Sequence, residues 1–446
     1  MHSFNDRYGN ALTTGSQTAA DAYSRALDII LAFNAGAEDA LREAIVADEG
    51  FALAQITLAR QLQLLGQMPA ATEARKAAEA AAPAATRREQ QHVAAIARAM
   101  DGDSTLATAM IREHLTEFPR DAYLLLQIAG PFGLVAFNGS PDWRAETFAV
   151  IDPLAGAYGE DWWFLNQHAF VHNELARFET ARRLAERSLE IYPRQGSGAH
   201  TLAHVFFETG DLSGGRAFLA EWLPEYDRGA TIFSHLAWHH ALFLLKEGRA
   251  PEALAVYARE LAPGVCTGSP VIASADAGSV LWRCDLSGAE RPAATRTELR
   301  DFAATNFPKA GITFADLHVA LAFAAADDKE SLDRLVAGLH KREADGKQPA
   351  GRVVVTIAEG IRRFAAGDYA GAVDTLYPVR GEVVRVGGSN AQRQVFEDTL
   401  LEACMRAERF EQAGPILRER LERRPSDAES ALLARAIRAE AAVAVQ

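Results

Sequence analysis

Cysteine is scarce in this chain: three residues in 446, at Cys266, Cys284 and Cys404. They are odd in number and far apart, which excludes a disulfide framework or a zinc knuckle and fits a reducing compartment. No window reaches the roughly 18 uncharged apolar residues of a membrane span. The opening stretch from Met1 to Asn10 lacks a basic segment followed by an apolar one, so no signal peptide is expected. Runs of lysine are also missing; the basic residues are mostly arginine scattered among acids, and the net charge is −13. Nucleic-acid binding needs a basic footprint, so no nucleic-acid partner is expected. The expectation is a soluble cytoplasmic protein with no membrane partner. Three catalytic signatures are absent as well: the Gly-x-Ser-x-Gly elbow, the Gly-x-Gly-x-x-Gly loop and the lysine of a phosphate-binding loop.

What is present is alanine and a repeat. Alanine dominates the apolar residues and β-branched runs are scarce, which favours helices packed closely on one another. A chain this long exceeds one ordinary core, so internal periodicity is the first thing to seek. Leu58, Ala59 and Leu62 lead to a turn at Gly66-Gln67-Met68, then Ala71, Ala74, Ala78 and Pro83. The same sequence of features recurs at Gly102-Asp103-Ser104 with Ala107 and Pro119, and at Arg177-Phe178-Glu179 with Ala181, Ala185 and Pro193. It returns at Gly210-Asp211-Leu212, Gly248-Arg249-Ala250, Gly367-Asp368-Tyr369 and Glu408-Arg409-Phe410. A unit of about 34 residues with two antiparallel helices has this pattern. The chain therefore reads as all-α: an α-solenoid (superhelix) of tetratricopeptide-like antiparallel helix pairs.

The period weakens between 266 and 312, where Gly268-Ser269-Pro270 and the stretch from Ser287 to Pro292 look like loops. The expected organisation is an N-terminal arm over 1–15, an array over 16–265, an irregular connecting region with helices over 266–312, and a second array with a capping helix over 313–446. An arm of small residues beside a groove would suit a lid.

Twelve histidines occur, and seven lie between 168 and 240. His200 and His204 are four apart, as are His235 and His239, so each pair shares one helix face. The repeat register puts His200, His204 and Glu208 on one first helix, Glu174 on the preceding one, and His235 with Trp238 on the next. First helices line the concave surface of such a solenoid, so a carboxylate, several histidines and a tryptophan are expected to converge in its groove. His239 falls one step off that stripe. Imidazoles with a carboxylate are a ligand set for zinc, iron or manganese. A histidine is also the usual general acid or base near neutral pH. Thr201 stands where a His-Glu-x-x-His motif would need its acid. His168, His172 and the Trp162-Trp163 pair read as structural.

Three further strings stand out. Thr86 and Glu89 have capping-box spacing, and His92 follows on a concave-type position. Gly387-Gly388-Ser389-Asn390-Ala391-Gln392-Arg393 combines a second capping box with a helix N-terminus open to an anion, which makes Asn390 and Arg393 ligand-contact candidates. Asp316, opening another helix beside His318, is a candidate from the far side of the superhelix.

The strings Thr86 to Gln90, His200 to Val205, Trp238 to Leu242 and Gly387 to Arg393 resemble those of the tetratricopeptide repeat protein 38 family, in the same order and over nearly the whole chain. Leu12-Thr13-Thr14 with Ser16 resembles that family's opening. The resemblance implies a tetratricopeptide solenoid and no established activity; its histidine strings correspond to His200, His204, His235 and His239. The family pattern has an acid three residues after the second histidine. Here that place is Phe207, and the acid is Glu208.

The leading functional expectation is a binding protein whose compact groove takes a small molecule or short peptide segment, with His200, His204, His235, Trp238, His239, Glu174, Asp316, Asn390 and Arg393 as ligand contacts. The second is an enzyme such as a hydrolase, with His200, His204, His239 or Glu174 catalytic, and His200, His204, His235 and His239 as ligands of a divalent metal. The third is a protein–protein scaffold.

Overall fold

Left-handed backbone at the hairpin turns sets the repeat. Gly66, Gly102, Gly210, Gly248 and Gly367 adopt φ between 75° and 81° in the computed structural model. Each follows the first helix of a pair and lets the chain reverse. The amide of Gln67 reaches back to the carbonyl of Leu62 at 2.9 Å, and that of Arg249 to Leu244 at 2.8 Å, satisfying carbonyls the helix end leaves free. Where the same step has no glycine, Ala176, Asp327 and Glu408 take φ of 58°, 57° and 55°. The turn then starts the second helix: side chains of Asp103, Asp211, Asp328 and Asp368 each accept from an amide in the first turn.

Residues 4–444 are described, apart from 131 and 291; the outermost residues of the expected arm and second array, 1–3 and 445–446, lie outside them. Antiparallel helix pairs follow one another from Gln17–Ala32 with Ala37–Ala47 to Asn390–Arg406 with Phe410–Arg423, and the helix Asp427–Ala444 follows the last pair. The stretch 266–312, read as an irregular connection with helices, carries the helices Pro270–Leu286 and Ala293–Asn306. Its small residues (Ala273, Ser274, Ala275, Ala277, Gly278, Ser279) are buried, so the weak repeat signature here reflects close packing.

The first helices are not an open concave wall. In Gly196–Thr209 every residue but Phe206 and Thr209 is buried, whereas Phe178–Ile191, a second helix, buries only Ala181, Leu184, Ala185 and Ser188. The superhelix curls until its C-terminal part closes on the N-terminal one. Trp143 Nε1 donates to the carbonyl of Val384 at 3.2 Å, Arg385 Nε to that of Gly139 at 2.9 Å, and Arg424 to that of Phe207 at 3.1 Å. A Cβ on Gly139 would lie 2.1 Å from the Pro349 carbonyl oxygen, so this crossing requires glycine. The interior that results is a first-helix core with polar side chains inside it.

Residues 4–15 pack onto the helices rather than standing free as a lid. Phe4–Asn5 pairs with Ala11–Leu12 as a short antiparallel hairpin. Arg88 donates to the Ala11 carbonyl and the Thr13 amide to Glu89 at 2.8 Å. Tyr8 is buried against Tyr158 and Trp163. No helix among the described residues is long and apolar enough to cross a membrane.

Candidate metal centre

The helices Gly196–Thr209 and Phe233–Lys246 pack side by side, and each presents its histidine pair to the other. His204 Nε2 lies 3.0 Å from His200 Nε2, and His235 Nε2 lies 3.2 Å from the same atom. The His239 ring centroid is 4.4 Å from that of His204. One nitrogen from each of the four rings falls within 4.8 Å of the others. None of the four residues is more than 2% exposed.

The protons do not balance. His235 Nδ1 faces Asp276 Oδ2 at 2.8 Å, and in a neutral ring donation to that carboxylate leaves a lone pair at Nε2. His200 Nε2 carries one proton at most, yet it faces two other Nε2 atoms. His204 Nδ1, both nitrogens of His239 and Asp276 Oδ1 have no hydrogen-bond partner. Burial holds the His200, His204 and His239 imidazoles well below their usual pKa, and the neighbouring rings add to it, so the neutral, ligating form is favoured. A cluster of inward lone pairs is satisfied by a cation. Around zinc, nitrogens at bonding distance in a tetrahedron stand about 3.3 Å apart, close to the two spacings from His200 Nε2. Asp276 on His235 supplies the carboxylate that fixes a ligating ring's tautomer.

Aromatic rings wall the centre. Phe170 stacks on His200 at 6.0 Å and meets His204 edge-on at 5.3 Å. Phe132, partly exposed, stacks on His200 at 5.8 Å and lies edge-on to His235 at 5.8 Å. Beside it a cavity of about 20 Å³, lined by Phe132, Asn166, Gln167, Phe170 and His200, reaches the centre; it is the size of one water.

The concave groove expected from the repeat register is an interior here. The four histidines come together as the spacing predicts, including His239, but in the closed interior. Trp238 is no platform: it stacks on His235 at 5.0 Å as part of the wall and donates to Ser279 at 2.7 Å. Asp316 does not join the histidines. It anchors its own turn by accepting the Gly311 amide, and burial pushes its pKa up to about 6. Glu174 is buried beside Arg393, 3.6 Å from its guanidinium; burial raises its pKa, and Arg393 works against that rise. Arg393 also donates to the Gly388 carbonyl. Asn390 donates to both oxygens of Glu208 at 2.8 and 2.9 Å, which makes Glu208 a clasp across the superhelix. Asn390 and Arg393 line a surface cavity of about 710 Å³ with Arg144, Arg423 and Glu397. Both capping boxes form. His92 stacks on Tyr123 and faces Asp121 at 3.0 Å, in a network with Arg88 and His114 remote in sequence from the four histidines.

Two members of the centre escape the sequence reading. Asp276 carried one signal, a lone acid in the small-residue helix Pro270–Leu286. Phe132 carried none, because its loop meets the histidines only through tertiary packing.

No family model matches the sequence. Among solved structures, the chain is similar to the human IFIT1 dimer with m7Gppp-AAAA, at 14% identity and a TM-score of 0.42, covering 98% of this chain and 98% of that one. It is similar to Cut9 in the APC/C hetero-tetramer Cut9-Hcn1, at 11% identity and a TM-score of 0.44, covering 94% of this chain and 76% of that one. It is similar to yeast Tom70, at 12% identity and a TM-score of 0.38, covering 95% of this chain and 88% of that one.

Proposed function

We propose that this chain is a tetratricopeptide-like binding protein built around a transition-metal centre of His200, His204, His235 and His239, and that the bound ion takes a small-molecule ligand. The observation that carries the reading is the convergence of Nε2 atoms at 3.0 and 3.2 Å with fewer protons than contacts. Imidazole ligands suit zinc first, with iron or manganese as alternatives. The cavity under Phe132 admits one small group to the His200 side of the centre. A short peptide in an open groove is disfavoured, because the first helices are buried. The strings shared with the tetratricopeptide repeat protein 38 family contain three of these four histidines, and we place the chain with that family on them.

A second reading is metal-assisted hydrolysis. It rests on Glu174, a carboxyl buried beside Arg393 with a pKa raised by burial, as acid–base groups have.

Metal content by plasma mass spectrometry tests the proposal, on tag-free protein beside a His204→Ala, His239→Ala double variant. About one zinc, iron or manganese lost in the variant is the expected result. Equal metal in both proteins, or none in either, overturns the centre.

A further inference from the structure

A second group of ligating side chains lies outside that centre. His168 and His172 are four apart on the helix Trp162–Glu174, and Asp152 opens the short turn Asp152–Leu154 that follows the helix Trp143–Ile151. His168 Nε2 is 3.1 Å from Asp152 Oδ1 and 3.1 Å from His172 Nε2. If His168 spends its Nε2 proton on the carboxylate, His172 must turn either a lone pair or an N–H toward an atom that has nothing left to give it. His172 Nδ1, buried, has no partner either. Phe148 meets His172 edge-on at 5.4 Å and Phe164 packs on His168 at 5.9 Å, which holds both rings in place.

We propose that Asp152, His168 and His172 form a second transition-metal site, independent of the four-histidine centre. Two imidazoles and one carboxylate are a common face of ligands for zinc-like ions, and their edges of 3.1 Å match ligands sharing one ion. The Asp152 side chain is 48% exposed and that of His168 15%, so water reaches the site and fills the remaining positions. The ion there exchanges with solvent, whereas one at the enclosed centre is retained. It also ties the turn after Trp143–Ile151 to the Trp162–Glu174 helix.

The test counts zinc bound by the metal-stripped full chain in equilibrium dialysis against buffered zinc. Wild-type protein is expected to take two equivalents. His168→Ala and Asp152→Ala, both at partly exposed positions, should each lose one and keep the other, with melting curves of the zinc-free proteins unchanged. His204→Ala, His239→Ala should lose only the other one. A wild-type chain whose zinc is unaffected by His168→Ala and Asp152→Ala overturns this site and leaves the four-histidine centre standing. A single equivalent lost in His168→Ala alone supports this site and overturns the centre.

Discussion

At the scale of single residues, buried groups divide by whether their charges close. Asp398 is a closed case. Burial works against its carboxylate, yet Arg420 at 2.7 Å, Arg283 at 3.2 Å and Lys246 at 3.8 Å hold its pKa below the usual range. Because the folded value is the lower one, the stability it contributes is present above the unfolded carboxylate pKa of about 3.9 and is lost as pH falls toward the folded value. Asp398→Asn leaves Arg283 without its carboxylate and Arg420 and Lys246 with Glu429 alone; it is expected to cost about 3–5 kcal/mol in urea unfolding at pH 7, and to flatten the acid end of the stability profile. The four histidines are the open case. Asp276→Asn keeps the shape and removes the charge behind His235, so zinc affinity measured against a chelator should fall about 10–100-fold while the fold stays intact. The histidines were legible from their four-residue spacing. Asp276 was not, because pairing across 41 residues leaves no periodic trace.

At the scale of the helix pair, one backbone step decides the turn. Glycine takes it at most turns, and Ala176 and Glu408 take it at a steric cost of about 1–2 kcal/mol each. Ala176→Gly and Glu408→Gly are therefore each expected to raise stability by about 1 kcal/mol, after the added freedom of the unfolded chain offsets part of the gain. Thermal melts of the single variants check this, and a lower melting temperature in both would contradict it. The turns were readable in advance because Gly-Asp combines a helix stop with a helix start. Helices were expected over 266–312 too, but their repeat register was weak, because alanine, serine and glycine in a buried helix look like a weakened repeat when the partner that requires small side chains is unseen.

At the scale of the whole molecule, closure of the superhelix turns a groove into an interior. Gly139 is the sharpest test: its φ is 81° and its missing Cβ is what admits the Pro349 carbonyl. Gly139→Ala should loosen the closing contacts, raise the radius of gyration in small-angle scattering and lower the melting temperature, whereas an unchanged radius would mean that other contacts hold the ring. The sequence alone determined the helix pairs, their turns and the two histidine pairs, because each rests on spacings within about 40 residues that backbone geometry and side-chain direction impose directly. Tertiary structure alone decided that the centre those pairs form is enclosed, with Asp276 behind it and Phe132 before it. It also decided that Trp238 became wall, Asp316 a turn anchor, and Glu174 with Arg393 a buried pair. The physical reason is curvature. A small rotation at each stacked pair, invisible in any one repeat, accumulates until residues nearly 250 positions apart touch, as Arg385 and Gly139 do.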